Sequence, residues 1–208
     1  FKKVFILSPH TDDGELGAGG FISKMIQQGS EVFYIAFSTA GASVPDHLPK
    51  DILKTEVVEA CLNLGIPESN IILHNYEVRK LNYSRQEILE NLIKLRSIHS
   101  PDLVLLPSRQ DIHQDHSTLS DEGIRAFKNT TLLGYELIWN NLEFRSDVFV
   151  KIEKTHLEAK INALKQYKSQ SEKNYMSREF ITSLAKVRGV QIGFEYAESF
   201  EVVRWVID

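Results

Sequence analysis

The chain has 208 residues, of which 42% are hydrophobic and 25% charged, enough to bury a sizeable core in one globular domain. Its formal net charge of −4 excludes the basic balance of a nucleic-acid binder, and no apolar run approaches the roughly 18 residues that cross a bilayer. The single cysteine, Cys61, excludes an internal disulfide, which, with no signal-peptide pattern in view, suits a cytoplasmic protein.

KKVFILSPH opens the chain as a near-continuous apolar run, the pattern of a strand buried on both faces. GAGGFISKMIQQGS, residues 17–30, predicts a helix with Gly29 as its stop. EVFYIAFST predicts a second strand, so the chain begins with a right-handed βαβ unit. Residues 41–50, with two prolines, read as a loop. DILKTEVVEACLNLGI predicts a helix ending at Gly65, with Cys61 as a small core residue. NIILHN is a short strand, and in the helix SRQEILENLIKLRSIHS the residues Ser84 and Glu87 have capping-box spacing. PDLVLLPS is a strand, RQDIHQDHS a polar loop and TLSDEGIRAFKN a helix. LLGYELIW and FVKI are strands, HLEAKINALKQYKSQ is an amphipathic helix, and REFITSLAKVRGVQIG and EYAESFEVVRWVI close the chain as helix and strand. No repeat, linker or low-complexity tract interrupts the pattern, so residues 1–208 read as one domain. Alternating elements with buried strands imply an α/β, three-layer, Rossmann-like fold with a mostly parallel sheet.

In such sheets ligands sit beyond the C-terminal ends of the strands, near a switch in strand order. Two polar loops follow strands of this kind: residues 8–20, SPHTDDGELGAGG, and residues 107–118, PSRQDIHQDHST. Dinucleotide binding needs G-x-G-x-x-G and an acid about 20 residues further on. Here Gly17 and Gly19 are followed by Ile22, the second strand ends FSTAG without an acid, and two aspartates would repel a pyrophosphate. A P-loop needs G-K-[ST], which does not occur. Taken alone, Asp12 or Asp13 reads as the N-cap of the following helix. The second loop shifts that balance, because together the loops hold His10, Asp12, Asp13, His113, Asp115 and His116. Imidazole and carboxylate are ligands for zinc and similar divalent ions, and a catalytic site takes three of them and leaves a position open. The residues left over suit a base, an oxyanion donor and an orienting carboxylate.

The pattern P-H-T-D-D-x-E-x-G-x-G-G at residues 9–20, with H-x-D-H at residues 113–116, resembles the zinc-dependent GlcNAc-type deacetylases of the PIG-L/LmbE-like family. The resemblance extends to TEVVEACLNLGI, KINALKQYKSQ and RGVQIGFEYAESF, and so to nearly the whole chain. It implies a Zn²⁺ site held by His10, Asp13 and His116, with Asp12 as general base. It implies that His113 stabilises the transition state or protonates the leaving group, that Asp115 supports these histidines, and that Glu15 holds the loop by hydrogen bonds. Gly19 and Gly20 are expected to let the helix N-terminus approach the site. The implied partner is a small-molecule N-acetylated amino sugar, with no nucleic acid and no transmembrane segment. The resemblance also admits a homo-oligomer, of a number the sequence does not specify. Thr11 stands where proline is usual, and Leu53 where an arginine often precedes the E…A…LG helix, so substrate contacts are expected to differ. The length of the chain argues against a large substrate lid. The readings left open are a metal-dependent hydrolase of another amide and a metal-binding member without catalysis.

Other signals are weaker. His47, His74, His99 and His156 read as surface or packing residues, with His47 nearest to the expected pocket. Trp139 reads as core, with sugar stacking as the alternative, and Arg188 and Glu198 as pocket residues or a structural ion pair. Lys151, Lys154, Lys160, Lys165, Lys168 and Lys173 read as a solvated face.

Overall fold

The computed structural model describes residues 1–207. Strand β1 (Lys3–Ser8) leads into helix α1 (Asp13–Gln27), and β2 (Glu31–Ala36) completes the first βαβ unit. Then come α2 (Ile52–Leu64), β3 (Ile71–Leu73), α3 (Arg85–His99), β4 (Leu103–Pro107), α4 (Gln114–Ala126) and β5 (Thr131–Tyr135). The remainder is β6 (Val148–Ile152), α5 (Lys154–Leu164), α6 (Arg178–Val190) and β7 (Tyr196–Arg204). The seven strands form one sheet in the order β3-β2-β1-β4-β5-β7-β6. Strands β1 to β5 pair in parallel, and β7 runs antiparallel to both β5 and β6. The fold is the expected α/β arrangement.

Side chains of a strand alternate between faces. In β1, Val4 and Ile6 enter one core with residues of α1, α2, α5 and α6, while Phe5 and Leu7 enter a second core with residues of α3 and α4. Both faces are therefore covered, which is why β1, β2, β4 and β5 read as unbroken apolar runs. Cys61 is buried in the first core. Gly29 and Gly65 take φ of +86° and +94° and end α1 and α2, a backbone conformation that costs glycine little.

Several local expectations are corrected. Helix α1 begins at Asp13, not at Gly17, and α4 begins at Gln114, not at Thr118. The first turns of both helices face the site, not a core, so their polar residues hide the helical period. Strand β5 ends at Tyr135 and leaves Trp139 in the turn that follows. Ser84 makes no side-chain cap on α3, because a 3₁₀ turn over Leu81–Ser84 runs straight into the helix. A reciprocal cap occurs instead on α5, between Glu153 and His156.

Helix α1 is kinked at Ala18 (φ −144°), which strands amides in mid-helix. The Gly20 and Phe21 N–H groups donate to Glu198 of β7 at 3.0 and 2.6 Å, and Lys160 of α5 donates to the same carboxylate at 2.7 Å. A Cβ on Gly19 would lie 2.7 Å from Lys160 Cγ, and one on Gly20 would lie 2.8 Å from Ile152 Cδ1. These glycines thus let α1 pack on α5 and the antiparallel strands, not approach the site as expected. Lys160 is correspondingly buried, against the reading of a solvated lysine face. Arg188 and Glu198 do not pair with each other: Arg188 forms a two-pronged bond to Glu136, and neither lines the cavity described next.

Candidate active site

The sheet order reverses between β1 and β4, and the loops that follow these two strands meet there. Such a switch point leaves a crevice because the connections on either side depart in opposite directions. It opens into a cavity of about 320 Å³ lined by His10, Asp12, Asp13, His113 and His116, among others.

The loop after β1 is pinned from behind. Ser8 Oγ accepts the Gly14 N–H at 3.0 Å. The Tyr34 and Tyr167 hydroxyls lie 2.8 and 2.6 Å from the Thr11 carbonyl oxygen, and both also meet the buried Glu15 carboxyl. Burial pushes the Glu15 carboxyl up to about 8, so it carries a proton at neutral pH. Glu15 therefore supports the loop, as expected, by hydrogen bonds.

Three side-chain atoms converge in front of this loop. His10 Nδ1 lies 3.1 Å from Asp13 Oδ2, His116 Nε2 lies 3.3 Å from the same oxygen, and the two nitrogens are 3.2 Å apart. The far nitrogen of each ring is held by a carboxylate: His10 Nε2 by Asp115 Oδ2 at 2.9 Å and His116 Nδ1 by Asp111 Oδ2 at 2.7 Å. Each ring thus donates outward and directs its other nitrogen inward, toward Asp13. Asp115 does not line the cavity but lies behind His10, where it also accepts the Arg79 and Leu81 N–H groups at 2.6 and 3.1 Å. Asp111 also accepts the His113 N–H at 2.8 Å. It went unnoticed in the sequence, although it stands two residues before His113 in the same polar loop.

The electrostatics favour a cation at this point. Burial, the largest single influence, disfavours charge on both rings, yet Asp13 acting together with the hydrogen-bonded Asp115 and Asp111 outweighs it and pushes His10 up to about 9 and His116 up to about 10. Burial likewise opposes ionisation of Asp13, but the His116 and His10 rings hold it well below its ordinary value. The half-buried Asp12 carboxyl is pushed up to about 6, first by desolvation and then by the Asp13 charge. Asp12 sits at the N-cap position of α1 but makes no capping bond, which leaves its side chain to the cavity.

His113 differs from the other two histidines. Its Nδ1 accepts the Asp115 N–H at 3.2 Å and so caps α4. Burial and the charges on His116 and His10 lower its pKa. A neutral ring that accepts at Nδ1 carries its proton on Nε2. His113 is therefore a neutral donor through Nε2.

A divalent ion fits the His10, Asp13 and His116 atoms. Ligand atoms about 2.0–2.1 Å from a tetrahedral zinc stand about 3.3 Å apart, close to the separations observed here. His113 also brings a ring nitrogen within 4.8 Å of those of His10 and His116, but its Nε2 proton leaves that atom no lone pair. Bound metal would displace the protons that the site otherwise draws onto His10 and His116.

The rest of the wall includes residues that the sequence left open. Trp139 is not core: it is 37% exposed, lines the cavity and stacks on Tyr175 with ring centroids 4.0 Å apart. Lys173, read as part of a solvated face, also lines the cavity, as do Leu53, Val78 and Arg79. Ala40 and Arg79, both on the wall, have φ of +47° and +67°, values uncommon for residues with a Cβ. His47 is exposed and not part of the wall. His99 packs on Phe33, and His156 bonds Gln27 and the Glu153 amide.

The fold and this cluster define an α/β domain with a candidate divalent-metal centre at its switch point. Residues 5–127 match the PIG-L family, described as GlcNAc-PI de-N-acetylase, and the chain belongs to that family. It is 24% identical over 227 residues to the diacetylchitobiose deacetylase of Thermococcus kodakarensis, covering 97% of this chain and 83% of that protein. The structure of N,N'-diacetylchitobiose deacetylase from Pyrococcus horikoshii superposes with a TM-score of 0.81 at 24% identity, covering 97% of this chain and 84% of that one. GalB, the 4-carboxy-2-hydroxymuconate hydratase from Pseudomonas putida, superposes with a TM-score of 0.80 at 19% identity, covering 100% and 98%. The same fold thus carries a deacetylase and a hydratase, and the choice of reaction rests on the site.

Proposed function

We propose that the chain is a divalent-metal N-deacetylase that hydrolyses the acetamide of a GlcNAc-type small molecule to acetate and a free amine. One observation carries this reading. The His10, Asp13 and His116 ligand atoms stand 3.1–3.3 Å apart and face one another, beside a carboxyl and a neutral imidazole donor that are not needed as ligands. The similarity to deacetylases that act on an N-acetylated sugar supports the acetamide as the bond broken.

His10, Asp13 and His116 would hold the metal, and Asp115 and Asp111 fix the two rings. When bound, the ion polarises the substrate carbonyl and lowers the pKa of water to near 7. Asp12 takes the proton of the attacking water and returns it to the leaving nitrogen. His113 Nε2–H donates to the oxyanion that develops on the carbonyl oxygen. Zinc is the assigned metal, and iron or cobalt also suits two imidazoles and a carboxylate.

No helix among the described residues is long and apolar enough to cross a membrane. The cytoplasmic setting proposed here is supported by the lone buried Cys61.

The test is acetate release from a panel of GlcNAc conjugates, with zinc-loaded wild type beside Asp12→Ala. Release by wild type alone supports the reading. With zinc bound at one per chain, silence on every conjugate but turnover of other acetamides moves the assignment to another amide. Silence on all of them leaves a metal-binding chain without this reaction.

A further inference from the structure

The chain leaving β3 makes a tight turn that its sequence does not favour. The His74 and Tyr76 N–H groups donate to the Ala36 and Phe37 carbonyls at 2.8 and 3.0 Å, so this segment first follows the end of β2. It then reverses over residues 77–80, where the Lys80 N–H donates to the Glu77 carbonyl at 3.1 Å. Of the two central residues only Arg79 has a positive φ, of +67°. That is the pattern of a type II turn, whose third residue is ordinarily glycine or asparagine. A Cβ in this conformation crowds a carbonyl oxygen. Flipping the peptide between Val78 and Arg79 would remove the crowding and give a type I turn, which most residues accept.

What the strained form supplies is a direction for one amide. The Arg79 N–H donates to Asp115 Oδ2 at 2.6 Å, and the Leu81 N–H donates to Asp115 Oδ1 at 3.1 Å. Asp115 is fully buried, and its Oδ2 also bonds His10 Nε2 at 2.9 Å. In the flipped turn the Arg79 N–H would point away from Asp115 and leave that oxygen to His10 alone. Val78, the other central residue, is buried in the first core and holds the turn from its far side. Non-glycine residues persist in such conformations where their surroundings over-determine them, and they gather at functional sites. Here the surroundings are the carboxylate behind a metal ligand.

We infer, resting on the metal centre of the deacetylase reading and not on its substrate, that Arg79 is a positioning residue for His10 that acts through its backbone. The left-handed turn aims the Arg79 amide at Asp115, and Asp115 fixes the ring of His10. The tie is reciprocal: whatever factor the turn adds to metal affinity, bound metal adds to the stability of the turn.

A role in backbone shape sorts substitutions by their tolerance of positive φ, not by charge. Competition for zinc against a chromophoric chelator tests this on the full chain. Arg79→Gly and Arg79→Asn accept positive φ and should bind zinc with closely similar Kd. Arg79→Val resists it at a branched Cβ, and should bind about 10-fold more weakly than Arg79→Gly, the lower end of what loss of a supporting contact costs. All three variants lack the guanidinium, so its charge cancels from the comparison. Hydrogen exchange of the wild-type chain reads the same tie without a mutation. The Arg79 and Leu81 amides should exchange about 10-fold more slowly with zinc bound than without it, the same factor by reciprocity. If Arg79→Val does not fold, this measurement decides alone. Equal zinc Kd in Arg79→Gly and Arg79→Val, or amides whose exchange zinc leaves unchanged, overturns the positioning role while the metal site stands. A wild-type chain that takes up no zinc overturns the metal reading, and the role of Arg79 with it.

Discussion

Replacing Asp111 by asparagine removes one hydrogen bond from behind the proposed metal site and little else. Asp111 is 3% exposed, and its Oδ2 accepts from His116 Nδ1 at 2.7 Å. Asparagine keeps the Oδ1 acceptor for the His113 N–H, which Asp111 receives at 2.8 Å. The new amide faces the ring with a donor, so it cannot accept from Nδ1–H. The ring then loses the partner that fixes its tautomer, and the negative charge that makes Nε2 more basic. Loss of such a supporting contact costs about 10- to 100-fold in metal affinity, or about 1.4–2.8 kcal/mol. The assay is competition for zinc against a chromophoric chelator at fixed pH, beside thermal melts of the metal-free chains. Asp111→Asn should raise the zinc Kd within that range, and Asp111→Ala should raise it further because it also frees the His113 amide. A Kd within threefold of wild type for both variants would refute the role assigned to Asp111, and with it the argument that carboxylates turn these rings inward.

The donor assignment for His113 predicts that His113→Ala lowers turnover roughly 10²–10³-fold while one zinc per chain remains, and coupled loss of the metal would identify His113 as a ligand instead. Lys160→Met leaves the Glu198 carboxylate buried beside the α1 kink, where an unpaired charge costs about 3–5 kcal/mol. Denaturant unfolding should show that loss, and the double variant with Glu198→Gln should recover part of it; a single-variant loss below about 1 kcal/mol would mean the pair behaves as an exposed one. Burial lowers the pKa of His156, whose ring bonds Gln27 and the Glu153 amide, with Lys24 and Glu198 nearby. The unfolded chain then takes up a proton more readily than the folded one, so this contribution is complete above the ordinary histidine pKa of about 6.5. It is lost as pH falls below that value through the lowered folded pKa. Between pH 7.5 and 5.5, Tm should fall more for wild type than for His156→Gln, and parallel curves would disprove the linkage.

The order of strands and helices could be read from the sequence because each sheet face is covered. A strand between two cores must be apolar at every position, as VFIL and LVLL are. Glycines at positive φ likewise announced the ends of α1 and α2. His10, Asp12, Asp13, His113 and His116 were legible as a group because polar residues crowded after buried strands have few structural uses. The starts of α1 and α4 were not legible, since their first turns present polar side chains to a cavity and carry no apolar period.

Tertiary structure decided everything that depends on residues far apart in the chain. Which nitrogen of His10 faces inward depends on Asp115, and which nitrogen of His116 depends on Asp111, whose side chain the local pattern of the loop does not direct. The role of Lys160 depends on a kink in α1 and on a carboxylate from β7. Trp139 joins the cavity because β5 stops at Tyr135 and Tyr175 comes up to cover one face of its ring. Composition and period record how much of a side chain is buried, and only the packed fold settles what it is buried against.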